Sequence, residues 1–265
     1  MGLTATEVDT WAAELAGARH ERRTRTPITD TAPLTLADAY AIQGVLTERR
    51  LAAGERIVGW KLGYTSPAMR AQMGIDQPNF GPLTDAMILT TDADVGTALI
   101  HPRVEPEIGL RFGRPVHGDV TVDDVLDAVV EAFACLEVVD SVFRDYRFRL
   151  EDNTADGSSA ARVVVGPELV DRSHLDAVTV VMRHNGAEVG AATGAAASGH
   201  PAAGVVWLVS QLAREGRRLE AGDIVITGGL TRAVPLQAGD VVDAVFGGHS
   251  RVSVRGPVTG EAQPR

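Results

Sequence analysis

Some residue types are nearly missing from this 265-residue chain. It has one cysteine, Cys135, so an intrachain disulfide is impossible. Aromatic residues make up 5%. No apolar run approaches the roughly 20 residues that cross a bilayer as a helix. Positive charge is short as well: 25 Lys+Arg stand against 35 Asp+Glu, a formal net charge of -10. Nucleic-acid binding needs a basic face to displace counterions, so this balance argues against it. The opening MGLTATEVDTW has neither a basic leader nor an apolar stretch. We therefore expect a cytoplasmic protein without nucleic-acid or membrane partners. Hydrophobic residues at 45% and charged residues at 23% suit an ordinary globular core.

The rarest residue is lysine. Lys61 is the only one; every other cationic side chain is arginine. GC-rich coding explains the arginines but not the survivor. Lysine can surrender its proton when buried and arginine effectively cannot. Lys61 is thus a candidate for proton transfer, with a pKa expected to fall in partial burial near a bound cation. The alternative is a lysine whose stem covers core while its head is solvated.

Apolar spacing predicts helices after Thr4 or Thr6 and after Thr35, and a short strand over 57–62. Residues 63–82 read as irregular, with one helical turn near Met69. Beyond 84 the pattern is β-rich, interrupted by helices over 122–134 and 202–215. Asn185-Gly186 between two apolar runs signals a hairpin. The expected class is α+β: a small helical N-terminal part (1–83), a β-rich barrel-like catalytic domain (84–255) and a disordered tail (256–265).

The segment His101-Pro-Arg-Val-Glu-Pro-Glu-Ile alternates so that Glu105 and Glu107 share a strand face opposite Val104 and Ile108. An E-x-E pair is often just a solvated face. A third acid, Glu137, lies inside the apolar run Ala-Cys-Leu-Glu-Val-Val, where it is expensive unless paired or ligating. Three carboxylates without histidine or cysteine suit a hard cation, Mg²⁺ or Mn²⁺, and leave positions for substrate oxygens. Cys135, two residues from Glu137, reads as a small core residue, and His101 and His200, each before proline, as structural.

The order G-W-K-L-G-Y-T-S (59–66), G-I-D-Q-P-N-F-G (74–81), H-P-R-V-E-P-E-I (101–108), L-E-V-V-D-S (136–141), A-D-G-S-S-A (155–160), G-A-A-A-S-G-H-P (194–201) and T-G-G-L-T (227–231) resembles the hydratase/decarboxylase branch of the fumarylacetoacetate hydrolase superfamily. The resemblance spans nearly the whole chain. It implies metal ligation by Glu105, Glu107 and Glu137, an active-site lysine at Lys61, and substrate loops at Ser158, Ser159, Thr227 and Gly228. It also implies a homo-oligomer that can associate with a related hydratase or decarboxylase, and a small 2-oxo acid as substrate. Two positions depart from the pattern. Asn79 stands where the hydratases are expected to carry aspartate, and Val142 replaces an arginine after Asp140-Ser141. Tyr146-Arg-Phe and Ser159-Ala-Ala-Arg162 look more like the decarboxylases.

The function expected is Mg²⁺-dependent decarboxylation of 4-oxalocrotonate in meta-cleavage aromatic catabolism, the cation holding the dienolate charge. Hydration of 2-hydroxypenta-2,4-dienoate is the alternative, and a non-catalytic partner subunit the third reading. Among the arginines of 144–149, Arg144 is the expected contact for the distal carboxylate of a diacid, against the alternative of a solvated or subunit-interface segment.

Overall fold

The computed structural model describes residues 2–67, 70–71, 74–169 and 172–258. The expected turn near Met69 and the tail from 259 onward lie outside the described residues. Helix α1 (Ala5–His20) starts at a capping box, Thr4 with Glu7, and α2 (Leu36–Ala52) at another, Thr35 with Asp38. Each box satisfies backbone N–H groups that the first turn leaves without partners. Val8, Ala12 and Leu15 of α1 and Ile42 of α2 pack with Ile28, Val142 and Phe143.

Two sheets follow. The strands in chain order are β1 (Ile57–Gly63), β2 (Asn79–Thr84), β3 (Ile88–Thr90), β4 (Ala93–Asp94), β5 (Arg103–Phe112), β6 (Val129–Val139), β7 (Ala160–Glu168), β8 (Thr179–His184), β9 (Ala187–Thr193), β10 (Ile224–Ile226), β11 (Val234–Pro235), β12 (Val241–Phe246) and β13 (Ser250–Arg255). The larger sheet has eight strands in the order β2-β1-β10-β5-β6-β7-β3, with β11 also paired to β5. The smaller has five, β4-β13-β12-β8-β9, and β8 and β9 form the hairpin closed by Asn185-Gly186. Helices α3 (Val122–Ala128), α4 (Leu150–Ala155) and α5 (Pro201–Arg214) accompany the sheets, an α+β architecture as expected. Among the described residues no helix is long and apolar enough to cross a membrane.

The large sheet has two different faces. Ile108 and Leu110 of β5 and Leu136 and Val138 of β6 belong to the main core with Met182, Phe246 and Val252 of the smaller sheet and Leu208 of α5. Side chains alternate along a strand, so the intervening residues Glu105, Glu107, Cys135 and Glu137 point to the other side. The period-2 pattern therefore separates core from site.

Three expectations need correction. The helix capped by Thr121 stops at Ala128 rather than 134, and β6 starts at once. From Val129 onward the chain pairs with β5, Phe112↔Val129 through Arg103↔Val139, and this long ladder overrides helical periodicity. Second, 79–82 is not irregular: it lies in β2, antiparallel to β1. Pro82 disguised it, and proline is tolerated because β2 is an edge strand. β1 and β2 thus belong to the main sheet rather than to the helices before them. Third, residues 256–258, expected in the tail, are tied to the body: Gly256 N–H donates to Asp240 O and Val258 N–H to Asp94.

Candidate active site

In the central ladder Glu105 stands directly opposite Glu137, and Glu107 opposite Cys135. One carboxylate oxygen from each of Glu105, Glu107 and Glu137 lies within 4.8 Å of the others. Glu107 and Glu137 are fully buried. Glu107 Oε2 accepts the Gly228 N–H at 2.7 Å, whereas Glu107 Oε1 and Glu137 Oε1 have no hydrogen-bond partner. Buried carboxylate oxygens are seldom left so, and an all-oxygen set of three acids with orphaned atoms fits a hard divalent cation.

Lys61, on β1, is 4% exposed and faces this cluster. Its Nζ lies 3.1 Å from Glu137 Oε2, in ion-pair contact off the line of a hydrogen bond, and donates to Ser158 O at 3.0 Å. This is not a snorkelling lysine. The fall expected for its pKa is for a site that holds a cation; without a cation among the acids, burial alone would lower it, but Glu137, Glu105 and Glu107 outweigh that and raise it. The same burial, reinforced by Glu137, pushes Glu105 up to about 7, and Glu107 is driven well above the ordinary carboxylate range.

The loop facing the acids is held by an amide network. Asn79 on β2 is fully buried; its Nδ2 donates to Asn153 Oδ1 and Thr154 Oγ1, both at 3.0 Å, and its Oδ1 accepts Ser158 Oγ–H at 2.9 Å. Asn153 Nδ2 in turn donates to Ser159 Oγ at 2.9 Å. Gln43 of α2 reaches in to donate to Phe80 O (3.0 Å) and Thr154 O (2.9 Å). Ser158 and Ser159 both adopt left-handed backbone, φ 56 and 57. Such residues cost of order 1–3 kcal/mol and persist when their surroundings over-determine them.

A second loop closes the other side. Thr227 Oγ1 donates to Ile108 O at 2.9 Å, which presents Gly228 N–H to Glu107. Gly228 has φ +103, and a Cβ there would meet Thr65 Oγ1 at 2.1 Å. A Cβ on Gly229 would meet Glu105 Oε2 at 2.3 Å. Two consecutive glycines are required for the backbone to approach both the roof and the acids.

Residues 56–255 match the fumarylacetoacetate (FAA) hydrolase C-terminal family. The chain belongs to the fumarylacetoacetate hydrolase family. It is 36% identical over 255 residues to the 2-hydroxyhexa-2,4-dienoate hydratase of Comamonas testosteroni, covering 94% of this chain and 97% of that protein. It is likewise 36% identical over 258 residues to the 4-oxalocrotonate decarboxylase of Pseudomonas sp. strain CF600, covering 96% and 98%. The solved structure of 4-oxalocrotonate decarboxylase from Pseudomonas putida G7, complexed with magnesium and adipate, superposes with a TM-score of 0.91 at 34% identity, over 96% of this chain and 98% of that one.

Within this fumarylacetoacetate hydrolase fold, Glu105, Glu107, Glu137, Lys61, Ser158, Ser159, Asn79, Thr227 and Gly228 come together. Arg144 does not join them. It is exposed, its backbone N–H donates to Arg25 O, and its side chain lines a surface groove with Thr26 and Arg147 that contains none of the acids. The Phe143 side chain, buried among α1 and α2, anchors this segment away from the site. His101 and His200 are structural: His101 Nε2 lies 2.7 Å from Ser141 O, and His200 Nδ1 caps α5 by accepting Ala202 N–H. Cys135 is core, its thiol pushed up by burial and donating to Glu107 O. Val142, in place of the expected arginine, is fully buried, and Arg19 of α1 reaches neighbouring Asp140 and Asp156 instead.

The sequence reading missed several contributors. Arg70 donates to the carbonyls of Tyr64 (2.6 Å) and Thr65 (3.0 Å), and Ser198 Oγ also donates to Thr65 O. These bonds hold left-handed Tyr64, φ 56, whose phenol is raised by burial and by Glu105. Gln43, Asn153 and Thr154 were equally invisible. Their only sequence signal was polarity at positions that a helix would leave to solvent.

Proposed function

We propose that this chain is a Mg²⁺-dependent lyase that converts 4-oxalocrotonate (2-oxohex-3-enedioate) into 2-hydroxypenta-2,4-dienoate and CO₂. Relatives of equal identity carry decarboxylase and hydratase names, so overall similarity does not choose between them. The observation that carries the choice is Asn79. The residue facing Ser158 is an amide whose donors and acceptor are already engaged, so it can neither take a proton from water nor turn to bind one. Loss of CO₂ needs no base to activate water; hydration does.

Glu105, Glu107 and Glu137 would hold Mg²⁺ or Mn²⁺, which when bound supplies the positive charge toward which the substrate's keto and carboxylate oxygens turn. The carboxylates fix that position from two paired strands. Lys61 Nζ, with its proton retained beside three acids, is placed to hydrogen-bond the enol oxygen and to deliver a proton as the C–C bond to the distal carboxyl breaks. The electron pair of that bond passes into the conjugated 2-oxo acid. Ser158 O aims the ammonium, and the amide network behind it keeps the peptide in place. The buried walls exclude water, which strengthens each of these interactions.

A homo-oligomer belongs to the same proposal, as does a cytoplasmic setting, which the buried single cysteine supports. Purified protein with Mg²⁺ should release CO₂ from 4-oxalocrotonate faster than it hydrates 2-hydroxypenta-2,4-dienoate. Faster water addition would make it a hydratase, and turnover of neither would make it a partner subunit.

A further inference from the structure

A second cavity lies away from the acids. It occupies about 1010 Å³ between α1, α2 and the β2 and β7 strands, and neither Lys61 nor any of the three glutamates lines it. Ligand cavities run to about this size. Its walls carry five arginines and two carboxylates, a surplus of three positive charges in a chain whose net charge is -10. The remaining wall is largely apolar, with Leu15, Leu46, Pro82, Met87 and Leu99.

The arginines are not equivalent. Arg19 is neutralised by Asp156 at 2.6 Å, with Asp140 at 3.6 Å behind it. Arg50 lies 3.4 Å from Glu55. Arg22 and Arg49 donate to the carbonyls of Thr97 and Asp9 from exposed positions. Arg162, on β7, has no ion-pair partner among the described residues; its guanidinium donates to Ala161 O at 2.7 Å and keeps its other N–H donors free. Burial and the nearby charges of Arg50 and Arg19 lower its pKa. A half-buried, unpaired guanidinium beside like charges is a place where an anion removes both repulsion and unmet hydrogen bonding.

We propose that this cavity is a binding site for a small organic carboxylate with an apolar body, its head held by Arg162 and Arg50 and its chain laid on the Leu46, Met87 and Leu99 wall. A planar guanidinium matches a carboxylate in two parallel hydrogen bonds. Bare inorganic anions would use the head site and leave the apolar wall empty. The proposal does not depend on which reaction the acid-lined site performs.

Hexanoate and inorganic phosphate are the probes, titrated calorimetrically into the Mg²⁺-loaded protein. Hexanoate should bind, and more tightly than phosphate. Arg162→Gln and Arg50→Gln should each weaken hexanoate by about tenfold or more, the worth of a charged hydrogen bond. Glu107→Gln should bind it like wild type, and Arg162→Lys should recover part of the loss. The proposal fails if hexanoate gives no binding heat, if phosphate binds better, or if Arg162→Gln and Arg50→Gln bind unchanged. It fails equally if Glu107→Gln abolishes binding, which would place the ligand among the acids. A smaller sedimentation mass for Arg162→Gln, without hexanoate binding in wild type, would make the cavity a subunit seam and overturn it.

Discussion

The two walls of the acid-lined site are built by opposite means. Glu105, Glu107 and Glu137 stand on β5 and β6, joined over a ladder that runs from Arg103↔Val139 to Phe112↔Val129. The groups facing them come from segments where Tyr64, Ser158, Ser159 and Gly228 all have left-handed backbone. A strand fixes a side chain without strain but only to one of two faces. A left-handed loop turns a backbone N–H or carbonyl in a direction no strand allows, and needs side-chain clamps to hold it. Gly228 N–H on Glu107 and Ser158 O on Lys61 are the products of that second method. Ligand charge is thus placed by pairing, and polarity is aimed by loops.

The comparison breaks hardest at the ladder. Glu107→Gln preserves shape and removes one charge, and metal-dependent turnover should fall by about a thousandfold, as when a main electrostatic group is lost. Assays across a Mg²⁺ titration check this; turnover within a few-fold of wild type would sink the ladder's role. Next is the residue between the walls. Lys61→Arg keeps the positive charge but not the compact, transferable proton, and kcat should fall by roughly a hundredfold with metal affinity largely retained. Near-normal kcat would leave Lys61 as a charge-balancing residue only.

Smaller effects separate the loops from the strands. Gly229→Ala has no left-handed angle to strain, yet its Cβ would push on Glu105 Oε2. Metal affinity should drop by about tenfold while the melting temperature of the metal-free protein changes little. A large loss of stability without loss of metal affinity would show that the loop serves packing alone. The smallest effect is a slope with pH. The folded chain holds protons on Glu105 and Glu107 that the unfolded chain releases near the ordinary value of 4.5. In chelator, unfolding free energy should therefore decline as pH rises from about 4.5 through about 7, and Glu107→Gln should flatten the decline. Denaturant midpoints across that range read it directly. Metal uptake should strengthen with pH over the same window, since the protons must leave.

What the sequence disclosed follows the same division. Alternation exposed the face shared by Glu105 and Glu107, and the apolar run around Glu137 marked its burial, because strand periodicity is local. The threonine caps of α1 and α2 were legible for the same reason. The loop wall was not. Left-handed angles at Tyr64, Ser158 and Ser159 are imposed by Arg70, Ser198, Asn79 and Asn153, partners 5 to 133 residues away for the bonds to Thr65 and 79 for that to Ser158. No single window of sequence contains them all. Arg144 misled because charge pattern reports what a side chain could bind but not where Phe143 anchors its backbone. For Lys61 the balance between burial and three carboxylates was not legible either: without a cation among them the acids outweigh burial and raise its pKa.

Cys135 lies at full burial in the floor of the same ladder, its sulfur against the Glu107 carbonyl. Alkylating reagents are attacked by the thiolate, and neither thiolate nor access exists while β5 and β6 stay paired. The single cysteine is therefore a built-in timer of ladder separation: its alkylation rate counts how often the floor opens. A cation that ties Glu105 and Glu107 on one strand to Glu137 on the other closes the same seam from above. Occupancy of the acids should then be readable as a slowing of sulfur chemistry at Cys135 on the same face of the ladder, with no substrate present.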